Sequence, residues 1–157
     1  MRVAIWGWSY GGYATAMTLA KDKEKVFQCG ISVAPVTNWW FYDSIYTERY
    51  MGLPNATFNE LNYKAGDVSN AEHIEQIGKH DFFLIHGNGD DNVHYQQSMV
   101  LARALEMADI MFEQLVIKKH HNYQNTVKMP LVETLIYYCD LCFNILSFTN
   151  NFKNIHC

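Results

Sequence analysis

Trp6-Gly7-Trp8-Ser9-Tyr10-Gly11-Gly12 follows the apolar run Val3-Ala4-Ile5 and precedes Tyr13-Ala14-Thr15-Ala16-Met17-Thr18-Leu19-Ala20, which has the character of a helix. Strand, then Gly-x-Ser-x-Gly, then helix is the context in which that short pattern reads as a nucleophile elbow. The serine of such an elbow sits in a strained turn, and glycines on both sides let neighbouring backbone pass closely. Its oxygen then points over the end of the sheet, and the N–H of Tyr10 faces an oxyanion as it develops. Without those flanks the same residues would read as a glycine-rich turn that merely contains a serine. The flanks favour the elbow.

Outward from the elbow, short apolar strands alternate with helical patterns. Arg2 to Trp6 is expected as a central strand, because it lacks in-out alternation. The helix after the elbow is expected to end at Leu19 or Ala20, before the charged turn Lys21-Asp22-Lys23-Glu24-Lys25. Cys29 to Ala34 is a second buried-type strand, stopped by Pro35. From Val36 to Pro54 the chain is dense in rings: Trp39, Trp40, Phe41, Tyr42, Tyr46 and Tyr50. Packing against a core and walling an apolar pocket are equally good uses of such a segment. Asn55 to Gly66 is polar and glycine-punctuated, hence expected as loop. Ser69 or Asn70 caps a helix through Ile77. Phe82 to His86 is a third strand, Val93 to Met107 an amphipathic helix and Phe112 to Ile117 a fourth strand. Lys118 to Asn125 reads as loop, and Pro130 opens a last helix to about Leu146. This organisation predicts an α/β fold over residues 1–148, a mostly parallel sheet with flanking helices, followed by a tail at 149–157. In such sheets the site lies at the carboxyl ends of the strands.

The 157 residues are 49% apolar with a formal charge of −4, and no basic patch points to nucleic acid or a membrane surface. No signal-peptide pattern precedes the first strand. The four cysteines are Cys29, Cys139, Cys142 and Cys157. Cys139-Asp140-Leu141-Cys142 has redox-motif spacing, but it lies within a helical pattern, where a structural disulfide or buried thiols are better readings. No paired ligands at metal-binding spacing accompany it, so neither metal nor cofactor is expected. Asn55-Ala56-Thr57 is a glycosylation acceptor triplet, meaningful only for a secreted chain.

A serine needs a base, and the base an orienting acid. In α/β-hydrolases the order is Ser, then Asp or Glu, then His, each after a successive strand. Here Ser9 follows the first strand, Asp90 and Asp91 the third, and His120 and His121 the fourth. Taken singly each has a plainer reading. The aspartates precede a helix, where carboxylates cap and complement the dipole. His86 and His94 lie nearer to Asp90, but a strand or helix histidine is more often structural. A loop histidine is ordinarily just solvated. The order at strand exits gives the set its weight.

Several stretches go further: Gly7-Trp8-Ser9-Tyr10-Gly11-Gly12-Tyr13, Ala34-Pro35-Val36, Tyr42 through Pro54 (Tyr-Asp-Ser-Ile-Tyr-Thr-Glu-Arg-Tyr-Met-Gly-Leu-Pro), His86-Gly87, and Asp90-Asp91-Asn92-Val93-His94. Together they resemble the dipeptidyl peptidase IV and fibroblast activation protein subfamily of the prolyl oligopeptidase family of serine peptidases. The likeness is close from Arg2 to about Leu105 and weaker beyond. It implies the C-terminal part of an α/β-hydrolase catalytic domain, with Ser9 as nucleophile, Asp90 as the acid and Tyr10 as a backbone oxyanion donor. Val36, Trp39, Tyr42, Tyr46 and Val93 would line a small pocket for proline or alanine, and Asn92 would hydrogen-bond the substrate carbonyl. Flat aromatic walls suit a pyrrolidine ring, whose apolar burial carries its affinity. The resemblance also implies a Cys29–Cys142 disulfide, an extracellular or cell-surface parent, a homodimer, and peptide substrates with Pro or Ala second.

Two departures accompany the likeness. Where the family has Asp-x-Asp-His before the last helix, this chain has Ile117-Lys118-Lys119-His120-His121-Asn122. Counting from Phe112 and Cys142 brackets the family histidine between His120 and Asn122, and the small polar Asn122 that follows favours His121 as base, with His120 as rival. The strands and β-propeller that precede the elbow in the family are not in this sequence. Nor are the propeller glutamates or the tyrosine that completes the oxyanion hole. The expectation is a piece of a catalytic domain, inactive by itself. A non-catalytic homologue acting as a binding or scaffold protein is the alternative, favoured by the lysines and disfavoured by the retained Ser9. An unrelated esterase would leave the aromatic segment and Asp-Asp-Asn-Val unexplained.

Overall fold

The computed structural model describes residues 3–54, 57–118, 137–138 and 142. Its frame is one parallel sheet in the order β1-β2-β3-β4, so each strand lies beside the next in sequence. The strands are β1 (Ala4–Trp8), β2 (Cys29–Val33), β3 (Asp81–Gly87) and β4 (Glu113–Ile117). Ala4 stands opposite Cys29, Cys29 opposite Asp81, and Phe83 opposite Glu113. Strand β2 is buried along its whole length, as the unalternating Cys-Gly-Ile-Ser-Val predicts for a strand covered on both faces. The helices are α1 (Tyr10–Lys21), α2 (Ser44–Met51), α3 (Thr57–Ala65), α4 (Ala71–Ile77) and α5 (Gln96–Met107).

The strand pleat sorts the core into two layers. Phe82 and Leu84 of β3 point toward Ala16, Leu19, Ile74, Ile77, Leu101 and Leu105 of the helices. Phe83 and Ile85 point the other way and pack with Ile31, Val33, Leu115 and Tyr138. The Cys29 and Cys142 sulfurs are joined, tying the start of β2 to a residue far along the chain, with Cα atoms 6.0 Å apart.

Strand β1 and helices α3 and α5 differ from expectation in ways that bear on the site. Strand β1 begins at Ala4 and runs through Gly7 and Trp8, which pair with Ser32 and Val33. An elbow requires the strand to continue up to the serine, so the apolar run alone placed it two residues early. Helix α5 starts at Gln96, not Val93, because residues 90–95 are spent in a turn tied by the Asp90 carboxylate. Residues 57–65, expected as loop, form α3. Weak local propensity is overridden there by packing: Tyr63 is buried in the aromatic cluster and its hydroxyl donates to the Gly52 carbonyl at 3.0 Å. Of the two cap candidates for α4 the structure uses Asn70, whose Oδ1 accepts from the His73 N–H at 3.0 Å. The expected last helix and the tail lie almost wholly outside the described residues.

Candidate active site

The carboxyl ends of β1, β2 and β3 converge on one edge of the sheet. Ser9 joins β1 to α1 with φ 58° and ψ −119°, a conformation that an L-residue adopts only when its surroundings impose it. The imposing contacts are visible. The Ser9 N–H donates to the Val33 carbonyl at 2.8 Å, and the Ser9 carbonyl takes the first helical bond from Tyr13 N at 3.1 Å. A Cβ at Gly7 would stand 2.3 Å from the Gly11 oxygen. One at Gly12 would stand 2.8 Å from the Val33 oxygen and 3.2 Å from Pro35. Glycine is therefore required on both sides of the serine, but the second close approach belongs to Gly12; a Cβ at Gly11 meets nothing within 4 Å. The Tyr10 N–H heads α1, where the first donors have no intrahelical acceptor and the helix dipole favours negative charge.

Asp90 follows β3, and its side chain is fully buried. Its Oδ1 accepts from the backbone of Asn92 at 3.0 Å and of Val93 at 2.9 Å, so it fixes its own turn and does not cap α5, whose N-cap is Tyr95. Its Oδ2 lies 3.5 Å from His86 Nε2. Asp91 is exposed, which separates the two adjacent aspartates. His86 is wholly buried. Its Nε2 lies 2.7 Å from the Val93 carbonyl and its Nδ1 2.6 Å from Ser98 Oγ. A carbonyl only accepts, so Nε2 carries a proton. With both nitrogens engaged, His86 braces the acid turn, and His94 points to solvent. His121 and its rival His120 lie outside the described residues.

Beyond β2 the chain bends at Ala34, at φ 43°, into the segment that carries the ring cluster. Val36, Trp39, Tyr63 and Val93 form its buried base, with Tyr13, Tyr42 and Met51 packed against it. Trp39 meets Tyr42 edge-on with centroids 6.0 Å apart and stacks on Tyr46 at 5.9 Å. The Tyr42 hydroxyl donates to Asn92 Oδ1 at 3.1 Å, linking the ring cluster to the acid turn. The expected pocket residues Val36, Trp39, Tyr42, Tyr46, Asn92 and Val93 thus stand together. Beside them Tyr10, Tyr13, Trp39, Tyr46, Thr47, Tyr50 and Met51 line a cavity of about 380 Å³. Burial raises the phenol pKa of Tyr13, Tyr42 and Tyr46, reinforced at Tyr42 by the charge of Asp43, so these rings present neutral hydroxyls.

Sequence reasoning missed several contributors. Tyr13 lies one turn beyond Tyr10, so helical spacing could have brought it in; Tyr50, one turn beyond Tyr46, was counted among the rings but not assigned to the pocket. Gln97 is fully buried, and its position four residues before Leu101 places it on the inner face of α5. Nothing in the sequence marks what its amide holds. Among the described residues no group of three or more His, Cys, Asp or Glu could hold a metal ion.

The sequence profile of the prolyl oligopeptidase family matches residues 1–145. Venom dipeptidyl peptidase 4 of Vespa velutina is 53% identical over 144 residues, covering 92% of this chain and 18% of that protein. Dipeptidyl peptidase 4 of Bos taurus is 43% identical over 148 residues, covering 92% of this chain and 19% of its own length. The crystal structure of Porphyromonas gingivalis dipeptidyl peptidase 4 superposes with a TM-score of 0.77 at 36% identity, covering 90% of this chain and 19% of that one. The chain therefore spans under a fifth of the length of these relatives.

Proposed function

Because the chain belongs to the prolyl oligopeptidase family, we propose that it forms part of the catalytic domain of a serine dipeptidyl peptidase, which releases X-Pro or X-Ala from peptide N-termini. The observation that carries the reading is Ser9 at φ 58°, clamped between the Val33 carbonyl and the first turn of α1. A backbone held at such a cost at a sheet's carboxyl edge is a place where a side chain is presented for chemistry.

In this reading Ser9 Oγ attacks the carbonyl of the second residue while its proton passes to His121, which Asp90 orients. The oxyanion is met by the Tyr10 N–H at the positive end of α1. Collapse of the tetrahedral intermediate breaks the C–N bond, and the proton moves from His121 to the departing amine. Water then hydrolyses the acyl-enzyme by the same route in reverse. Val36, Trp39, Tyr42, Tyr46 and Val93 receive the proline or alanine side chain, and Asn92 donates to the substrate carbonyl beside them. The parent is an extracellular or cell-surface homodimer, a setting in which the Cys29–Cys142 bond persists.

The test uses the complete protein. The wild type should label with a fluorophosphonate probe and cleave Gly-Pro substrates in preference to short esters, and Ser9→Ala should lose both by orders of magnitude. Unchanged turnover by Ser9→Ala would remove the assignment. A wild type that fails to label would instead favour the scaffold reading.

A further inference from the structure

We propose that Gln97 is a positioning residue for the wall of the proline pocket, holding Val36 and Trp39 at their spacing through the peptide groups between them. This rests on the reading of those two side chains as substrate-binding.

Residues 34 to 38 belong to no helix or strand, yet they are buried throughout: Ala34 and Thr37 are 0% exposed, Val36 2% and Asn38 9%. Irregular backbone taken out of water must find partners for its N–H and C=O groups. One side chain meets three of them. Gln97 Oε1 accepts from the N–H of Thr37 at 2.9 Å and of Asn38 at 2.9 Å. Gln97 Nε2 donates to the Asn38 carbonyl at 3.1 Å. The Thr37 hydroxyl closes the set by donating to the Gln97 backbone carbonyl at 2.6 Å. On the far side the Thr37 carbonyl accepts from Val68 N at 2.8 Å, and the Asn38 side chain donates to Asp67 Oδ2 at 2.9 Å. The segment is pinned between α5 and the turn before α4.

A neutral carboxamide fits this place. It offers two lone pairs for two N–H groups and one N–H for a carbonyl, and glutamine has that inventory. Methionine fills the volume and makes none of the bonds. An ionised glutamate accepts but turns a negative oxygen toward the Asn38 carbonyl. Val36 and Trp39 flank the pinned peptide groups, so losing the amide moves the pocket wall while leaving the serine turn, which rests on Val33 and Gly12, in place. The adjacent Ser98 serves the acid turn through His86, so the two sides of the site are held by separate side chains.

The experiment compares wild type, Gln97→Met and Gln97→Glu in the complete protein, reading KM and kcat for Gly-Pro and Gly-Ala substrates and fluorophosphonate labelling. Gln97→Met should raise KM for Gly-Pro by about tenfold or more, the cost of leaving buried amides unpaired, with a smaller effect on Gly-Ala, on kcat and on labelling. Gln97→Glu should show a variant-to-wild-type KM ratio that falls toward one as the pH is lowered, since a protonated carboxyl again has one donor and one acceptor oxygen. Asp67, bonded to Asn38, and His86, bonded to Ser98, titrate in both proteins, so their own effect on KM is read from the wild-type profile. If Gln97→Met does not fold, the Gln97→Glu ratio decides. Unchanged KM, or parallel loss of kcat, KM and labelling with no recovery of Gln97→Glu at low pH, overturns the positioning role. A wild type that labels but ignores Gly-Pro overturns the peptidase reading instead.

Discussion

A methyl group on Gly7 would lie 2.3 Å from a backbone oxygen, whereas one on Gly11 would meet nothing. The two glycines of the recognisable pattern are thus unequal. Gly7→Ala must force the elbow apart, and should cost more than about 3 kcal/mol together with probe labelling of Ser9. Gly11→Ala sits inside α1 and should leave labelling intact while gaining roughly 0.5–1 kcal/mol, the ordinary helical difference between the two residues. Thermal unfolding of the complete protein and fluorophosphonate labelling check both; a labelled, stable Gly7→Ala would contradict the packing. At this scale the positions of Ser9 and Asp90 at strand exits were legible, because strand, turn and carboxylate fall in a readable order. The sequence was silent on which neighbouring glycine carries the close approach, since that depends on where the Val33 carbonyl and Pro35 lie in space.

Tyr138 shows how one residue of the late chain is fastened to the sheet. Its ring stacks on Phe83 of β3, and burial first, then its hydrogen bond to Glu113 of β4, push its phenol up to about 12. The folded form thus holds this proton more tightly than the unfolded chain, whose tyrosine titrates near 10.0. The contribution to stability is complete below pH 10.0 and is lost as pH rises toward about 12. Tyr138→Phe should flatten the fall of melting temperature across that window relative to wild type; parallel curves would show that the phenol is not held in this way. The strands and helices α1, α4 and α5 were legible because period and punctuation mark them. Helix α3 was not, since Tyr63 and the Gly52 carbonyl, rather than local propensity, hold it. The wall residues Val36, Trp39 and Tyr42 were named from the resemblance, but the Gln97 clamp beneath them joins residues about 60 apart in the chain and leaves no local trace.

At the scale of the molecule, β1 is bordered by β2 alone among the described residues, and Trp6 on it is 51% exposed. An edge of that kind offers backbone to any passing strand. Residues 1–157 produced alone should therefore self-associate and lack Gly-Pro cleavage; size exclusion and a Gly-Pro assay measure it. A monodisperse, cooperatively unfolding monomer that cleaves Gly-Pro would show that these residues suffice. The sheet's strict succession, each strand beside the one made before it, has a consequence in time. A ribosome releases Ser9 before β2 and the ring segment, Asp90 after β3, and the cysteine that closes the bridge to Cys29 only after β4. Each crossover can dock on a finished edge, so Ser9, Val36 and Asp90 come together in the order of synthesis. The covalent lock can close only after the last described strand has been made.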